Sequence, residues 1–354
     1  MRKISAVSCL GVTLASCTPT DVKYPEVSAV RETAAVAAKR DAADDPAIWI
    51  APNPEDSLII ATEKHGGLYV FDLQGEIVQV IRSGRPNNVD LRPDFRWAES
   101  VSTIVGASDR IDNSIVLWRF DDEAGRLDGE AAVRIPTGFS EIYGFCLGRQ
   151  GDDIVAVATD KTNGDIGVWR IFYSAAGSLH GEQIAAFSLG SITEGCVVDD
   201  ALGVFFLADE LHGIWKVSLD DGDGSQRQLI DVVGADGHLA ADVEGLSLWI
   251  GAGESGYLIA SVQGESRFAV YDRDGAHTYR GSFRISASAD GTADAVSGTD
   301  GVDVTSADLG PDFPQGLLVV QDGVNTGPAT TQNIKLVSWR AVAVALGLAV
   351  ARSN

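Results

Sequence analysis

Acidic residues recur along this chain in six short groups, each followed after a gap by an apolar, strand-like segment. The groups are Asp44-Asp45-Pro46, Asn88 with Asp90, Glu141 with Tyr143-Gly144, Glu194-Gly195, Asp242 with Glu244-Gly245, and Asp300-Gly301 with Asp303. Carboxylates gathered in one place repel one another, and hard divalent cations relieve that repulsion. Oxygen ligands select calcium over softer metals, and only 5 His are present. The surface loops of any acidic protein are acidic, but six groups in register favour a site for several calcium ions.

Three basic residues end the strand-like segments of three successive repeats, beside the acidic groups: Lys64, Arg110 and Lys161. Arg85 lies in a loop nearby. Lys and Arg suit phosphate through their charge and, for Arg, through forked hydrogen bonds. Calcium on one side and cations on the other would bind a ligand that has several phosphates. The alternative is that these cations only pair with Asp109 and Asp160.

The elements that must position these residues are pairs of apolar strands that return about every fifty residues. The first strands of the pairs are 58–64, 103–110, 154–161, 204–210, 257–265 and 317–322. The second strands are 68–75, 115–120, 166–171, 214–222, 268–275 and 334–339. Such a repeat predicts an all-β fold, a six-bladed β-propeller of four-stranded antiparallel blades. In a propeller the innermost strand of each blade lines a central channel. The acidic groups, which precede the strand pairs, and the basic residues at the strand ends should therefore meet at one mouth of this channel.

The body of the chain, 31–340, is predicted to be one propeller domain, followed by a tail at 341–354 that forms a short helix or strand extension. Ring closure should pair a strand within about residues 30 to 50 with the last blade. The net charge of −23 argues against nucleic acid or an anionic membrane surface as a partner. We expect a monomer.

The N-terminus has the pattern of a processing signal. Arg2 and Lys3 precede an apolar stretch at 4–15 that is too short to span a bilayer. Leu14-Ala15-Ser16-Cys17 resembles a bacterial lipobox, which implies a signal peptide at 1–16, lipidation of Cys17 and a tether at 17–30. The alternative is an ordinary cleaved signal with a chance Cys. Both interpretations predict a protein of the cell envelope, either an outer-membrane lipoprotein or a periplasmic protein. It would contact the membrane only through the lipid anchor.

Two cysteines remain in the body of the chain, Cys146 and Cys196. An oxidising compartment would permit a bridge between them. Both directly follow acidic groups of neighbouring repeats, and we expect them to be small, unbridged core residues.

Several longer segments closely resemble the β-propeller phytases. They are DAADDPAIW (41–49), NNVDLRPDF (87–95), IYGF (142–145), TEG (193–195), LAADVEGL (239–246), VQGESRFAVYDRDG (262–275) and TDGVDV (299–304). The likeness runs from about Glu32 to about Trp339. It implies a six-bladed, calcium-dependent phosphomonoesterase acting on phytate (myo-inositol hexakisphosphate) or calcium phytate, in which a calcium-bound water attacks phosphorus.

The resemblance also implies roles for individual residues. Ligands of catalytic calcium ions would be Asp44, Tyr143, Glu194, Asp209, Asp242 and Glu244. Positions for tighter, structural calcium would be Glu32, Asp45, Asp300 and Asn333. Phosphate would be held by Lys64, Arg110, Lys161 and Gln263, with Arg85 and Arg267 as additions.

Two positions depart from the family pattern: His65 replaces a second Lys that is common there, and Thr162 replaces an acid. We expect activity to persist with altered affinity or pH range. The competing prediction is a calcium-stabilised binding propeller of the cell envelope without catalysis. A lactonase-like propeller would account for the acids but leave the three basic residues in register without a use.

Overall fold

The computed structural model describes residues 24–174, 177–326 and 330–350. Within them the chain forms six sheets that follow one another around a ring. Two short strands come first, β1 (Glu26–Ser28) and β2 (Arg31–Glu32). The prediction of a six-bladed β-propeller is confirmed.

From β3 onward the strands of each blade pair antiparallel and follow one another outward in chain order, except that β10 and β11 both pair with β9. Blade 1 contains β3 (Ala43–Trp49), β4 (Leu58–Glu63), β5 (Gly67–Asp72) and β6 (Ile77–Arg82). Blade 2 contains β7 (Pro86–Arg96), β8 (Val101–Asp109), β9 (Ser114–Asp121), β10 (Arg126–Leu127) and β11 (Val133–Pro136). Blade 3 contains β12 (Ile142–Gln150), β13 (Asp153–Asp160), β14 (Asp165–Tyr173) and β15 (Leu179–Ser188).

The second half of the ring repeats this arrangement. Blade 4 contains β16 (Thr193–Asp199), β17 (Val204–Asp209), β18 (Gly213–Ser218) and β19 (Gln228–Val232). Blade 5 contains β20 (Val243–Ile250), β21 (Gly256–Val262), β22 (Arg267–Asp272) and β23 (Tyr279–Ser286). Blade 6 contains β24 (Val302–Thr305), β25 (Leu317–Asp322) and β26 (Asn333–Ser338), which leads into the helix α1 (Trp339–Leu346).

The ring is closed by the start of the chain. Strand β2 completes blade 6 by pairing antiparallel with β26, with Glu32 opposite Lys335. Residues 26–28, which the sequence assigned to a tether, form β1 and pair in parallel with β23 of blade 5. Cys17 and the predicted signal peptide lie outside the described residues. None of the helices within the described ranges is long and apolar enough to cross a membrane.

The core is divided into six clusters, each between two neighbouring blades. Side chains of a strand alternate between its two faces, so one strand contributes to two clusters. In β4, Ile59 and Ala61 face blade 6, whereas Leu58 and Ile60 face blade 2. Because both faces are buried, these strands are continuous apolar runs rather than alternating ones.

One expectation about the core is wrong: Cys146 and Cys196 form a disulfide. Both are buried, as predicted, in the cluster between blades 3 and 4. They lie on the innermost strands β12 and β16, one repeat apart, with their Cα atoms 5.7 Å from each other. That separation lies within the range a disulfide spans, because equivalent positions of adjacent blades are neighbours in a propeller.

Trp339, the first residue of α1, provides a test of how the last blade is locked. Its fully buried ring stacks on Trp249 at 5.8 Å and lies 6.0 Å from Tyr257. We expect Trp339→Ala to lower the free energy of unfolding by about 3–5 kcal/mol, as for other buried aromatic truncations. Val344→Ala on the same helix, at a side chain 76% exposed, should change it by less than about 0.5 kcal/mol. Chemical denaturation measures both; equal losses would contradict this account of α1.

Candidate active site

The innermost strands present one residue per blade to the channel mouth through a shared irregularity. In β3, β7, β12, β16 and β20 the register shifts across two residues near the strand start. Such bulges re-aim side chains. In blade 6 the equivalent two residues, Asp300 and Gly301, directly precede β24. The first residues of the six pairs, here called the inner ring, are Asp44, Asn87, Tyr143, Glu194, Glu244 and Asp300.

Glycine follows the inner-ring residue in four blades, and it is required by the close approach of the next blade. A Cβ at Gly144 would lie 1.8 Å from the carbonyl oxygen of Glu194, and one at Gly195 would lie 2.1 Å from that of Glu244. Neighbouring inner strands therefore contact each other through the backbone at this level. This contact places successive ring side chains beside one another.

A carboxylate cluster joins two inner-ring residues to Glu210, which directly follows β17. One oxygen each of Glu194, Glu244 and Glu210 lies within 4.8 Å of the others. Asp44 is fully buried, and neither of its carboxylate oxygens accepts a hydrogen bond from the described residues; Glu244 Oε2 is likewise unpartnered. Buried carboxylates without donors are costly unless a cation binds them. An all-oxygen donor set of this kind fits calcium.

The pKa values of this cluster reflect the same cost of burying carboxylates close together. Burial, reinforced by neighbouring carboxylates, raises the pKa of Asp44 and Glu244 well above their usual range. Burial and the charge of Glu194 raise the pKa of Glu210 to about 7. Burial together with Glu194 and Glu244 also raises the pKa of the Tyr143 hydroxyl. Glu210 therefore retains part of its proton near neutral pH.

A second set of residues surrounds the mouth where the second strand of each blade ends. In five blades an acid at that end caps the following turn by accepting a backbone N–H two residues later. These capping acids are Glu63, Asp109, Asp160, Asp209 and Asp322. The next residue in each blade, with Gln263 in blade 5, forms what we call the rim: Lys64, Arg110, Lys161, Glu210, Gln263 and Gly323.

The rim cations differ in their partners. Lys64 Nζ pairs with Asp41 at 2.8 Å, Asp300 at 3.0 Å and Asp44 at 3.4 Å. Although burial disfavours its charge, Asp44 and Asp300 raise the pKa of Lys64. Lys161 Nζ lies 4.0 Å from the centre of the Tyr143 ring.

Arg110 and Lys161 have no ion-pair partner within the described part of the chain. Asp109 is engaged by Arg134 at 3.0 Å, and Asp160 accepts the backbone N–H groups of Ser140 and Thr162. The alternative that these two cations merely pair with Asp109 and Asp160 is therefore excluded.

Several residues that the resemblance assigned to metal or phosphate lie elsewhere in the site. Asp209 points into its own turn, where it accepts Ser191 Oγ at 2.8 Å and faces His212 Nδ1; Glu210 takes the expected place in the cluster. Asp242 has a left-handed backbone (φ 63°) and lies between Glu210 and Gln263, bonded to both through its main chain.

The residues predicted to contact phosphate do not all lie at the mouth. Gln263 Nε2 donates to Asp300 Oδ1 at the mouth. Arg85 donates its backbone N–H to Asp109 and adjoins Arg110. Arg267 is buried and held by Glu265, Ser282 and the carbonyl of His238. It therefore supports blade 5 rather than facing the mouth.

The four predicted structural-calcium positions fall into two places. Asp45 lines the channel, with Oδ2 accepting the N–H of Val89 at 3.1 Å, and Asp300 belongs to the inner ring. Glu32 and Asn333 instead surround the buried ammonium of Lys335, at 2.6 and 2.9 Å. Asp294 and Asp322 join them at 2.5 and 3.0 Å, two carboxylates that the sequence analysis did not identify.

A six-bladed propeller with a carboxylate cluster and unpaired cations at one channel mouth defines a protein that can bind cations and anions together. The family model described as Phytase matches residues 3–351, and the chain belongs to the phytase family of enzymes. It is 40% identical over 332 residues to a 3-phytase of Bacillus subtilis (strain 168), covering 91% of this chain and 86% of that protein.

A more distant likeness concerns the fold alone. The structure of Penicillium chrysogenum alpha-L-arabinanase complexed with arabinobiose superposes with a TM-score of 0.56 at 11% identity. The match covers 90% of this chain and 99% of the arabinanase.

The neighbouring acids Asp209 and Glu210 allow a test of these assignments. Glu210→Gln removes a charge from the cluster, so calcium affinity should fall about tenfold or more, while stability in a chelator should not fall at neutral pH. Asp209→Ala removes the acceptor that caps a buried turn, so the free energy of unfolding should fall by about 1–3 kcal/mol. Calorimetric titration with calcium and thermal unfolding distinguish the two. A reversed pattern would show that Asp209 faces the metal.

The raised pKa values predict how the metal-free protein responds to pH. Unfolded Asp and Glu lose their protons near 3.8 and 4.5, whereas in the folded state burial raises the pKa of Asp303 to about 6 and that of Glu210 to about 7. Between these values the unfolded chain binds fewer protons, so stability falls as pH rises. Asp303 alone contributes about 3 kcal/mol.

Thermal unfolding in a chelator, from pH 4 to 8, measures this slope. The lowered pKa of buried His277 opposes it, but as one group against several carboxyls. Added calcium should remove most of the loss at pH 8, and Glu210→Gln should reduce the slope. Stability that rises with pH in the chelator would contradict the prediction.

Proposed function

We propose that this chain is a calcium-dependent phosphomonoesterase that removes phosphate from phytate. The observation that carries the proposal is which charged side chains at the channel mouth form ion pairs and which do not. Arg110 and Lys161 have no carboxylate partner among the described residues, and they lie at the mouth that also holds the clustered carboxylates of Glu194, Glu210 and Glu244. Such a mouth offers the two signs of charge that a calcium–phosphate complex needs. Membership of the phytase family and the similarity to a 3-phytase support the choice of phytate.

Calcium would be held by the oxygens of Asp44, Tyr143, Glu194, Glu210 and Glu244, with Asp300 adjoining them. The reason for this assignment is that buried Asp44 accepts no hydrogen bond within the described residues, although Lys64 lies 3.4 Å away, and that Glu244 Oε2 has no partner there. Bound there, calcium would neutralise the phosphate dianion and lower the pKa of a water molecule. Several ions are required to balance this many carboxylates.

The phosphate groups would be held by the rim. Arg110 offers a planar fork that matches two phosphate oxygens, and Lys161 offers a point charge. Lys64 is already paired with Asp44 and Asp300, so it can contribute to a phosphate only when those carboxylates are neutralised. Charge on the equatorial oxygens in the transition state would then be stabilised by groups fixed in advance.

We also propose that the chain is a lipoprotein of the cell envelope, anchored through Cys17. The sequence of residues 1–17 supports this proposal. The disulfide between Cys146 and Cys196 supports an oxidising compartment, since structural disulfides are rare in the cytosol.

The first test is phosphate release from calcium phytate by protein that lacks residues 1–17, with and without a chelator. We expect release only with calcium, and we expect Glu194→Ala to abolish it, while Glu76→Ala on the exposed surface has no effect. Absence of release by a folded, calcium-bound protein would favour the non-catalytic binding propeller.

The anion side of the mouth has its own test. Arg110→Ala and Lys161→Ala should each raise the KM for phytate about tenfold to a hundredfold, because each removes a charged hydrogen bond to phosphate. Calcium affinity should stay unchanged. Arg126→Ala, at an exposed side chain, is the matched control. An unchanged KM in both mouth variants would exclude this side of the site from substrate binding.

A further inference from the structure

Asn87 is the only amide in the inner ring, where the other five blades place Asp, Tyr or Glu. It lies in the bulge of β7, across which pairing shifts between Pro86 and Val89. Its side chain is fully buried, at 0% exposure. No role follows for it from the resemblance or from the proposed catalytic groups.

The amide nitrogen of Asn87 spans from blade 2 to blade 4. Nδ2 donates to Glu194 Oε1 at 2.5 Å and to Asn88 Oδ1 at 2.9 Å. The opposite orientation of the amide would place oxygen against both acceptors, so the donor assignment is determined by its neighbours. A neutral donor fixes Glu194 without adding a like charge to the ring.

The other end of the same amide has no partner. Asn87 Oδ1 is buried, and no donor within the described ranges reaches it. A buried oxygen without a donor costs free energy. Because Nδ2 contacts Glu194, the amide lies beside the carboxylate cluster of Glu194, Glu210 and Glu244. Side-chain amide oxygens are common calcium ligands.

We propose that Asn87 is a further residue of the cation site: its Nδ2–H positions Glu194, and its Oδ1 is a neutral oxygen ligand. This inference rests on the proposed calcium dependence. It explains why blade 2 has an amide at a position where a carboxylate would face Glu194 with a like charge.

Calorimetric titration of the metal-free protein with calcium tests the inference without reference to hydrolysis. We expect Asn87→Ala to weaken one binding step about tenfold to a hundredfold, from the loss of a hydrogen bond to a charged group. Its melting temperature in a chelator should also fall, because buried Glu194 loses a donor, so the calcium isotherm is the quantity that decides. Asn53→Ala, at an exposed amide far from the mouth, should alter neither quantity. An unchanged isotherm, or a loss of stability in the chelator alone, would overturn the proposal.

Asn87→Asp provides a second variant of nearly the same size. It loses the donor to Glu194 and adds a charge, so it should melt lower in a chelator at pH 8 and gain more from calcium than the parent. Asn87→Ala should gain less than the parent. Equal calcium gains in all three proteins would place Asn87 outside the site.

Phytate hydrolysis by this protein and calcium binding by Asn87 can be disproved independently of each other. If the parent binds calcium but releases no phosphate from phytate, the proposed function is wrong while the effect of Asn87 on binding stands. If the parent hydrolyses phytate and Asn87→Ala binds calcium like the parent, only the assignment of Asn87 is wrong.

Discussion

Repulsion among buried carboxylates at the channel mouth is the constraint on which the rest of this structure depends. Asp44, Glu194 and Glu244 are held together although each would be more stable ionised in water. The fold resists their separation because they belong to strands of a closed ring. Closure in turn depends on β2, which pairs with β26 and brings Glu32 to Lys335. The stability of the ring is therefore what keeps the acids close enough to share a cation.

The channel mouth consists of two concentric sets of residues, the inner ring and the rim. The inner ring is built from bulges, whose backbone geometry aims one side chain per blade inward. The rim is built from turns capped by an acid, and the residue after the cap varies in charge from blade to blade. The rim carries cations at blades 1 to 3, whereas the inner-ring carboxylates belong to blades 1, 4, 5 and 6. The mouth thus presents groups for both anions and cations.

Much of this arrangement can be predicted from the sequence, since strands buried on both faces leave long apolar runs with a regular spacing. The repeats identified the blades, and Lys64, Arg110 and Lys161 identified the rim. The sequence could not distinguish Asp209 from Glu210, because which of two adjacent acids caps a turn depends on backbone geometry. Asn87 was not identified for a related reason: a one-residue bulge decides whether it or Asn88 contacts Glu194. The Cys146–Cys196 bridge was missed although the two residues lie one repeat apart, which is the spacing of neighbours in adjacent blades.

The disulfide has a mechanical consequence. It joins the innermost strands of blades 3 and 4 directly below Tyr143 and Glu194, so these two blades form one covalent unit. Other neighbouring blades are held by apolar contacts, hydrogen bonds and ion pairs such as Lys64–Asp300, apart from the chain that connects them. Any partial opening of the ring must therefore take place between other blades than 3 and 4. Tyr143 and Glu194 stay on strands that are joined covalently throughout such an opening.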